Sequence, residues 1–168
     1  MLILGIDPGT AITGYGLVEA EGNRLIPVEY GALRTKAGDD TAARLSDLHR
    51  HLCALLKAAR PDVVAVEQLF FNTNVTTALA VGQARGVILL AAAQAGIEVV
   101  EYTPLQVKQT VTGNGRARKE QVGFMVKALL GLNTVPRPDD VSDALAIAIC
   151  HAHMGPFLRR TVQAAKAR

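Results

Sequence analysis

Cysteine is scarce in this chain, and the two present form no pattern. Cys53 and Cys150 lie far apart in no ligand spacing. That excludes a disulfide-stapled scaffold and leaves two core thiols in a reduced compartment. Long apolar runs are lacking as well: the longest, GVILLAAAQAG, is too short to span a bilayer and is rich in alanine. The opening MLILGIDPGT has neither the positive flank nor the cleavage site of a signal peptide. No repeat, linker or low-complexity segment interrupts the chain. These absences predict a cytoplasmic globular domain with no membrane partner. Aromatics are rare at 4%, yet two of the four phenylalanines, Phe70 and Phe71, stand side by side in a polar, turn-forming segment.

What is present is enough for one domain with a substantial core: 168 residues, 49% of them hydrophobic, with ordinary charge content. The net charge of +3 hides an asymmetry: residues 1–107 carry 8 basic and 11 acidic groups, whereas 108–168 carry 10 basic and 4 acidic. Three of those four late acids are Asp139, Asp140 and Asp143. A basic half with one acidic knot suits a polyanionic partner and a local use for carboxylates, although a solvated surface with a loose basic tail has the same composition.

Hydrophobic periodicity predicts the order β-β-β-α-β-α-β-α-α-α. MLILGID is a strand before Pro8-Gly9, and two further strands flank Glu21-Gly22-Asn23 as a hairpin. Leu45, Leu48, Leu52, Leu55 and Leu56 make one face of a helix over 41–59, started by Asp40 or Thr41 and stopped by Pro61. DVVAVE is a continuous run of the kind covered on both faces. A helix follows from about Val75 to Ala95, then the strand GIEVVEY, then a short helix opened by Thr103 and Pro104. GNGRAR is expected to be a flexible glycine loop. A helix marked by Val122, Met125, Val126, Leu129 and Leu130 ends at Gly131, and the last helix is expected from about Asp139 to about His153. The fold class is therefore α/β: a five-stranded mixed sheet, antiparallel over strands 1–3 and then parallel, flanked by helices. Residues 1–155 are expected to form the single domain, with 156–168 a basic C-terminal tail that is either disordered or touches a polyanion nonspecifically.

Asp7 closes the first strand and Glu67 the fourth. If these strands are parallel neighbours, both acids stand at the carboxyl edge, where α/β sheets place their chemistry. Asp140 and Asp143 are three apart and project from one side of a helix, while Val141, Ala144, Leu145 and Ala148 form a separate apolar stripe. Four acids can thus face one point. Such a cluster resists joint ionisation unless cations balance it. Two magnesium ions, roughly 3.5–4 Å apart, would activate a water and stabilise a departing oxygen. Each residue also has a plainer reading: Asp7 as an Asx-turn residue, Glu67 as a surface acid at a strand end, Asp139 and Asp140 as helix caps. Spacing alone does not identify a reaction.

The segments GIDPGTAITGYGLV, VEQLFFNTN, GQARGVIL, YTPLQVKQTVTGNGRARKEQV and DDVSDALAIAICHAH, in this order and spacing, resemble the RuvC Holliday junction resolvases over about residues 1–153. The resemblance implies a ribonuclease-H-like fold and a homodimer. It also implies magnesium-dependent cutting of four-way DNA junctions in recombination and repair, with manganese able to substitute, by paired nicks leaving 5′-phosphate and 3′-hydroxyl ends. The family's acidic tetrad falls on Asp7, Glu67, Asp140 and Asp143, at once metal ligands and catalytic residues; some members carry histidine at the position of Asp140. The family's lysines fall on Lys108 and Lys119, as phosphate contacts or as aids to charge and proton handling. Its aromatic after the glutamate falls on Phe70, expected at unstacked bases, with Phe71 beside it either helping there or anchoring the loop. Arg116, Arg118 and Lys119 are expected phosphate contacts. The family points to the 75–95 helix, with its small residues Ala78, Gly82 and Gly86, as the dimer element, and to a RuvA–RuvB branch-migration complex as partner. GIDPGT also resembles the phosphate-binding opening of actin-like ATPases and sugar kinases, but those need a second domain for which the chain has no room. A non-catalytic junction-binding protein of the same fold is the remaining alternative, and all four acidic positions are filled here. His49, His51, His151 and His153 show no zinc pattern and are given no chemistry.

Overall fold

The computed structural model describes residues 1–68 and 75–166, with side chains placed for 1–68 and 78–155. Three strands open the chain: β1 (Leu2–Asp7), β2 (Ile12–Glu21) and β3 (Arg24–Arg34). Helix α1 (Thr41–Ala59), strand β4 (Val63–Glu67), helix α2 (Val75–Gln94) and strand β5 (Glu98–Tyr102) follow. Helices α3 (Pro104–Thr112), α4 (Lys119–Leu129) and α5 (Asp139–Lys166) complete it. The sheet order is β3-β2-β1-β4-β5. Strands β1 to β3 pair antiparallel, and β4 and β5 run parallel to β1. This is the mixed sheet the hydrophobic pattern predicts.

Alternation along the strands divides the core in two. Ile3, Val18, Val63, Ala65 and Tyr102 pack against α3, α4 and α5. Leu4, Ile6, Leu17, Val64 and Val66 pack against α1 and α2. Strand β4 is buried on both faces, which is why it reads as an unbroken apolar run. Because side chains alternate, Asp7 shares its face with Ile3, and Glu67 shares its face with Val63 and Ala65. Both acids therefore stand on the α5 side of the sheet.

The predicted caps are present. Asp40 accepts from the Ala43 amide at 2.9 Å, and Thr103 forms a capping box with Gln106. Two expectations need correction. The 113–118 segment is not a loose glycine loop. The Gly115 N–H donates to Gln109 Oε1 at 3.0 Å, the Arg116 N–H donates to Asn114 Oδ1 at 2.9 Å, and Ala117 is buried. Short polar side chains satisfy this backbone and tie it to α3. Helix α5 also does not end near His153: it continues through Gly155 and Pro156 to Lys166, taking in most of the expected tail. Gly155 lies against the His151 ring and here serves close packing, not a stop.

Candidate active site

The register of the parallel pair sets the first two acids. Ile6 of β1 lies opposite Val66 of β4, so Asp7 and Glu67, the next residues, end adjacent strands side by side. Helix α5 delivers the other two from its first turns, crossing the face of β1 and β2. It lies so close because those strands carry glycine beneath it. A Cβ on Gly14 would collide with the Asp140 backbone, one on Gly5 with the Ala144 carbonyl, and one on Gly16 with the Leu145 side chain. Gly14 is itself the strand partner of Asp7. One vacancy in β2 thus seats the start of α5 next to the acid that ends β1. The sequence reading missed these glycines as positioning residues. Their signal was glycine recurring at alternate positions inside strand-forming segments, where it ordinarily weakens a strand.

Lysines complete the site. Lys119 begins α4 and places Nζ 2.9 Å from Asp143 Oδ2 and 3.8 Å from Asp139 Oδ2. Asp139 also accepts, through Oδ1, from Arg137. Lys108, on α3, lines a cleft of about 260 Å³ with Glu67, Pro104, Val107, Lys119, Val122, Asp143 and Ala146. The cleft is therefore lined by two carboxylates, Glu67 and Asp143, together with two ammonium groups, Lys108 and Lys119.

Burial and mutual repulsion raise the proton affinity of the acids. Asp7 is pushed up from 3.8 to about 8, first by burial, then by the charges of Asp143, Glu67 and Asp140, with Lys119 opposing. Glu67 is raised by burial and by Asp143, against Lys108 and Lys119. Asp143 is raised because burial outweighs its hydrogen bond to Lys119. Burial lowers Lys119, but its bond to Asp143 and the charges of Asp143, Asp139 and Asp7 raise it overall. The two partners thus move in one direction: the lysine keeps its proton, while Asp143 ionises reluctantly among like charges. The charge of Asp140 thus acts on Asp7 across the junction of α5 with β1.

Among the described residues no three His, Cys, Asp or Glu side chains stand close enough together to hold a metal ion as they are. A closed cage of protein ligands does not fit this site. An all-oxygen donor set with excess negative charge does fit a hard cation that keeps several waters and takes its remaining ligands from substrate phosphate. The residues suit magnesium in that open manner and lack the nitrogen and sulfur donors of structural zinc.

The structure thus brings Asp7, Glu67, Asp140, Asp143, Lys108 and Lys119 to one edge of the sheet. Arg116 and Arg118 are exposed on the 113–118 segment and do not line the cleft. Phe70 and Phe71 lie outside the described residues. On α2, Leu79 and Leu90 are 62% and 52% exposed, and exposed Gln83 and Gly86 fall between them on the same helical stripe. Gly82 and Ala78, which the sequence grouped with Gly86, are half-buried. His151 is a buried core residue with Nδ1 2.8 Å from the Tyr102 hydroxyl. No helix among the described residues is long and apolar enough to cross a membrane.

Comparison with known proteins agrees with this geometry. Residues 3–151 match the family described as Crossover junction endodeoxyribonuclease RuvC. The RuvC of Desulfitobacterium hafniense is 62% identical over 160 residues, covering 95% of this chain and 97% of that protein. The RuvC of Moorella thermoacetica is 59% identical over 165 residues, covering 98% and 99%. Among solved structures, Thermus thermophilus RuvC superposes with a TM-score of 0.86 at 39% identity, over 94% of this chain and 96% of that one. The same protein in complex with Holliday junction substrate gives 0.85 at 37% identity with the same coverage. The yeast mitochondrial Holliday junction resolvase shares the fold at a TM-score of 0.71 and 16% identity, over 98% of this chain and 83% of that one.

Proposed function

The chain belongs to the RuvC family of crossover junction endodeoxyribonucleases, and from that membership and the site above we propose how it resolves four-way DNA junctions. The observation that carries the reading is the convergence of Asp7, Glu67, Asp140 and Asp143 at one sheet edge with Lys119 2.9 Å from Asp143. Carboxylates alone would repel a phosphodiester. Asp7, Glu67, Asp140 and Asp143 would hold divalent cations, two magnesium ions per site with manganese able to replace them, and the bound ions would supply Lewis-acid activation of water and charge stabilisation for the leaving group.

The chain's own groups do the rest. Asp7, which keeps a proton up to about pH 8 when no cation balances its neighbours, is the acid whose ionisation depends most on the site being filled. Lys108 and Lys119 line the cleft beside the acids, where their ammonium groups meet phosphate oxygens and draw the backbone in. Arg116 and Arg118 extend that positive surface along the DNA. Phe70, three residues after Glu67, stacks on an unpaired base, a contact worth roughly 1–3 kcal/mol and tolerant of sequence. Phe71 helps it or anchors the loop. The exposed apolar stripe of α2 joins two copies in a homodimer, so that twofold symmetry presents two sites to the two strands cut. A RuvA–RuvB complex is the partner that family membership suggests, and the cytoplasm is the compartment where junction DNA and reduced thiols coexist.

The test is cleavage of end-labelled four-way junctions beside matched linear duplex, with and without Mg²⁺ or Mn²⁺, by wild type and Asp7→Asn. Metal-dependent paired cuts in the junction alone, leaving 5′-phosphates and absent from the mutant, are expected. Tight junction binding with no cutting under any metal would instead identify a binding protein.

A further inference from the structure

Asp139 has no role in the site just proposed, yet it borders it through Lys119. Its two oxygens are divided: Oδ1 accepts from Arg137, and Oδ2 lies 3.8 Å from Lys119 Nζ. Lys119 is meanwhile seated on Asp143 at 2.9 Å, the length of a charge-assisted hydrogen bond. The chain Arg137–Asp139–Lys119–Asp143 alternates in sign and is open at the lysine, which has one close carboxylate and one a little beyond contact. Asp139 and Lys119 are each about half exposed, so the ammonium is free to swing between the two.

The two seats are not equivalent. Asp143 belongs to the cation-binding set, and a divalent ion on its carboxylate repels an ammonium group hydrogen-bonded to that same carboxylate, which weakens the Lys119–Asp143 pair. Asp139 is half committed to Arg137 and therefore pulls less on Lys119 while the site has no cation. We propose that Asp139 is a positioning residue: it receives Lys119 when Asp143 takes up a divalent cation, and so keeps the ammonium at the cleft mouth, where phosphate arrives. This inference rests on the cation-site reading of Asp143. Without Asp139, a cation must break the Lys119–Asp143 pair and leave the lysine with no carboxylate partner, which weakens cation binding. The effect has to vanish when Lys119 is absent.

Calcium binding to the DNA-free protein, measured by calorimetry, tests this with no turnover. Asp139→Asn should weaken Ca²⁺ about five- to ten-fold in the wild-type background. In a Lys119→Ala background the same substitution should cost less than about two-fold, the residue of a screened, half-exposed charge. Asp139→Glu should recover part of the loss. A second readout follows the lysine itself by ¹⁵N NMR of its ammonium group. With Ca²⁺ present the signal should stay visible in the wild type and broaden by solvent exchange in Asp139→Asn. Equal losses in both backgrounds would overturn the proposal and make Asp139 a plain negative charge, as would unchanged affinity in both. No saturable Ca²⁺ binding by the wild type would overturn the cation-site reading itself, and this inference with it.

Discussion

Asp7 is where residue chemistry has the largest measurable consequence. Its carboxyl is raised from 3.8 to about 8 by burial and by three neighbouring acids. Between those values the folded protein keeps a proton that the unfolded chain has released. The contribution of Asp7 to the stability of the cation-free protein is therefore fully present below 3.8 and is lost as pH rises through about 8. Glu67 and Asp143, also raised, act in the same direction. Each pKa unit corresponds to about 1.4 kcal/mol, so Asp7 alone costs on the order of 5 kcal/mol once it is forced to ionise. Asp7→Asn cannot ionise and removes that cost while abolishing cleavage. In urea unfolding with chelator present, the mutant should match the wild type near pH 4 and become progressively more stable toward pH 9. Saturating Mg²⁺ should narrow the gap by favouring the ionised wild type. A constant offset at all pH values would mean that Asp7 is not held protonated by its surroundings.

At the scale of elements, the site depends on how α5 is laid on the sheet. Asp7 and Glu67 were legible as strand ends because the apolar runs before them are unmistakable, and Asp140 with Asp143 followed from helical spacing. The Lys119–Asp143 contact was not legible, because it joins the starts of two helices whose approach depends on tertiary packing. Nor was the continuation of α5 past Gly155 and Pro156. Extending a helix already nucleated and packed along its length costs far less than starting one, so local breakers lose to context. The 113–118 loop was misread for a related reason: glycine suggests freedom, but Gln109, Thr112 and Asn114 spend their side chains on its backbone. Gly14 gives the test. Gly14→Ala would push the Asp140 backbone off β2, and overpacking of this kind costs about 1–3 kcal/mol or more. Cleavage should fall by a larger factor than the folded fraction does, since the first two turns of α5 carry two of the four acids. An alanine variant that loses stability but keeps full specific activity would show that α5 need not lie so close. Gly86, on α2, predicts the reverse sign. A Cβ there meets nothing within 4 Å in the single chain, so alanine should stabilise the monomer by about 0.5–1 kcal/mol. If this stripe joins two copies, the same methyl group intrudes on the seam, and sedimentation should show a weaker dimer.

For the whole molecule, the separation of α2 from the site edge determines what one subunit can do alone. The acids end β1 and β4 on the face covered by α5, whereas α2 packs on the opposite face with Leu79, Gln83, Gly86 and Leu90 outward. Pairing through α2 would therefore leave each groove complete within its own chain, with no ligand borrowed from the partner. In such a dimer the two cuts would be chemically independent and coupled only through the DNA held between them. Heterodimers of wild type and Asp7→Asn, purified by differential tags, decide the matter on a plasmid carrying an extruded cruciform. One intact site should nick a single strand, converting supercoiled plasmid to open circles, while wild-type homodimers yield linear product by cutting opposite strands. The nicking rate per intact site should lie within about two-fold of the wild type, because the inactive subunit still binds its half of the junction. Linear product from heterodimers would mean that one site can serve both strands. Loss of all cutting would mean that the partner's Asp7 is needed across the interface.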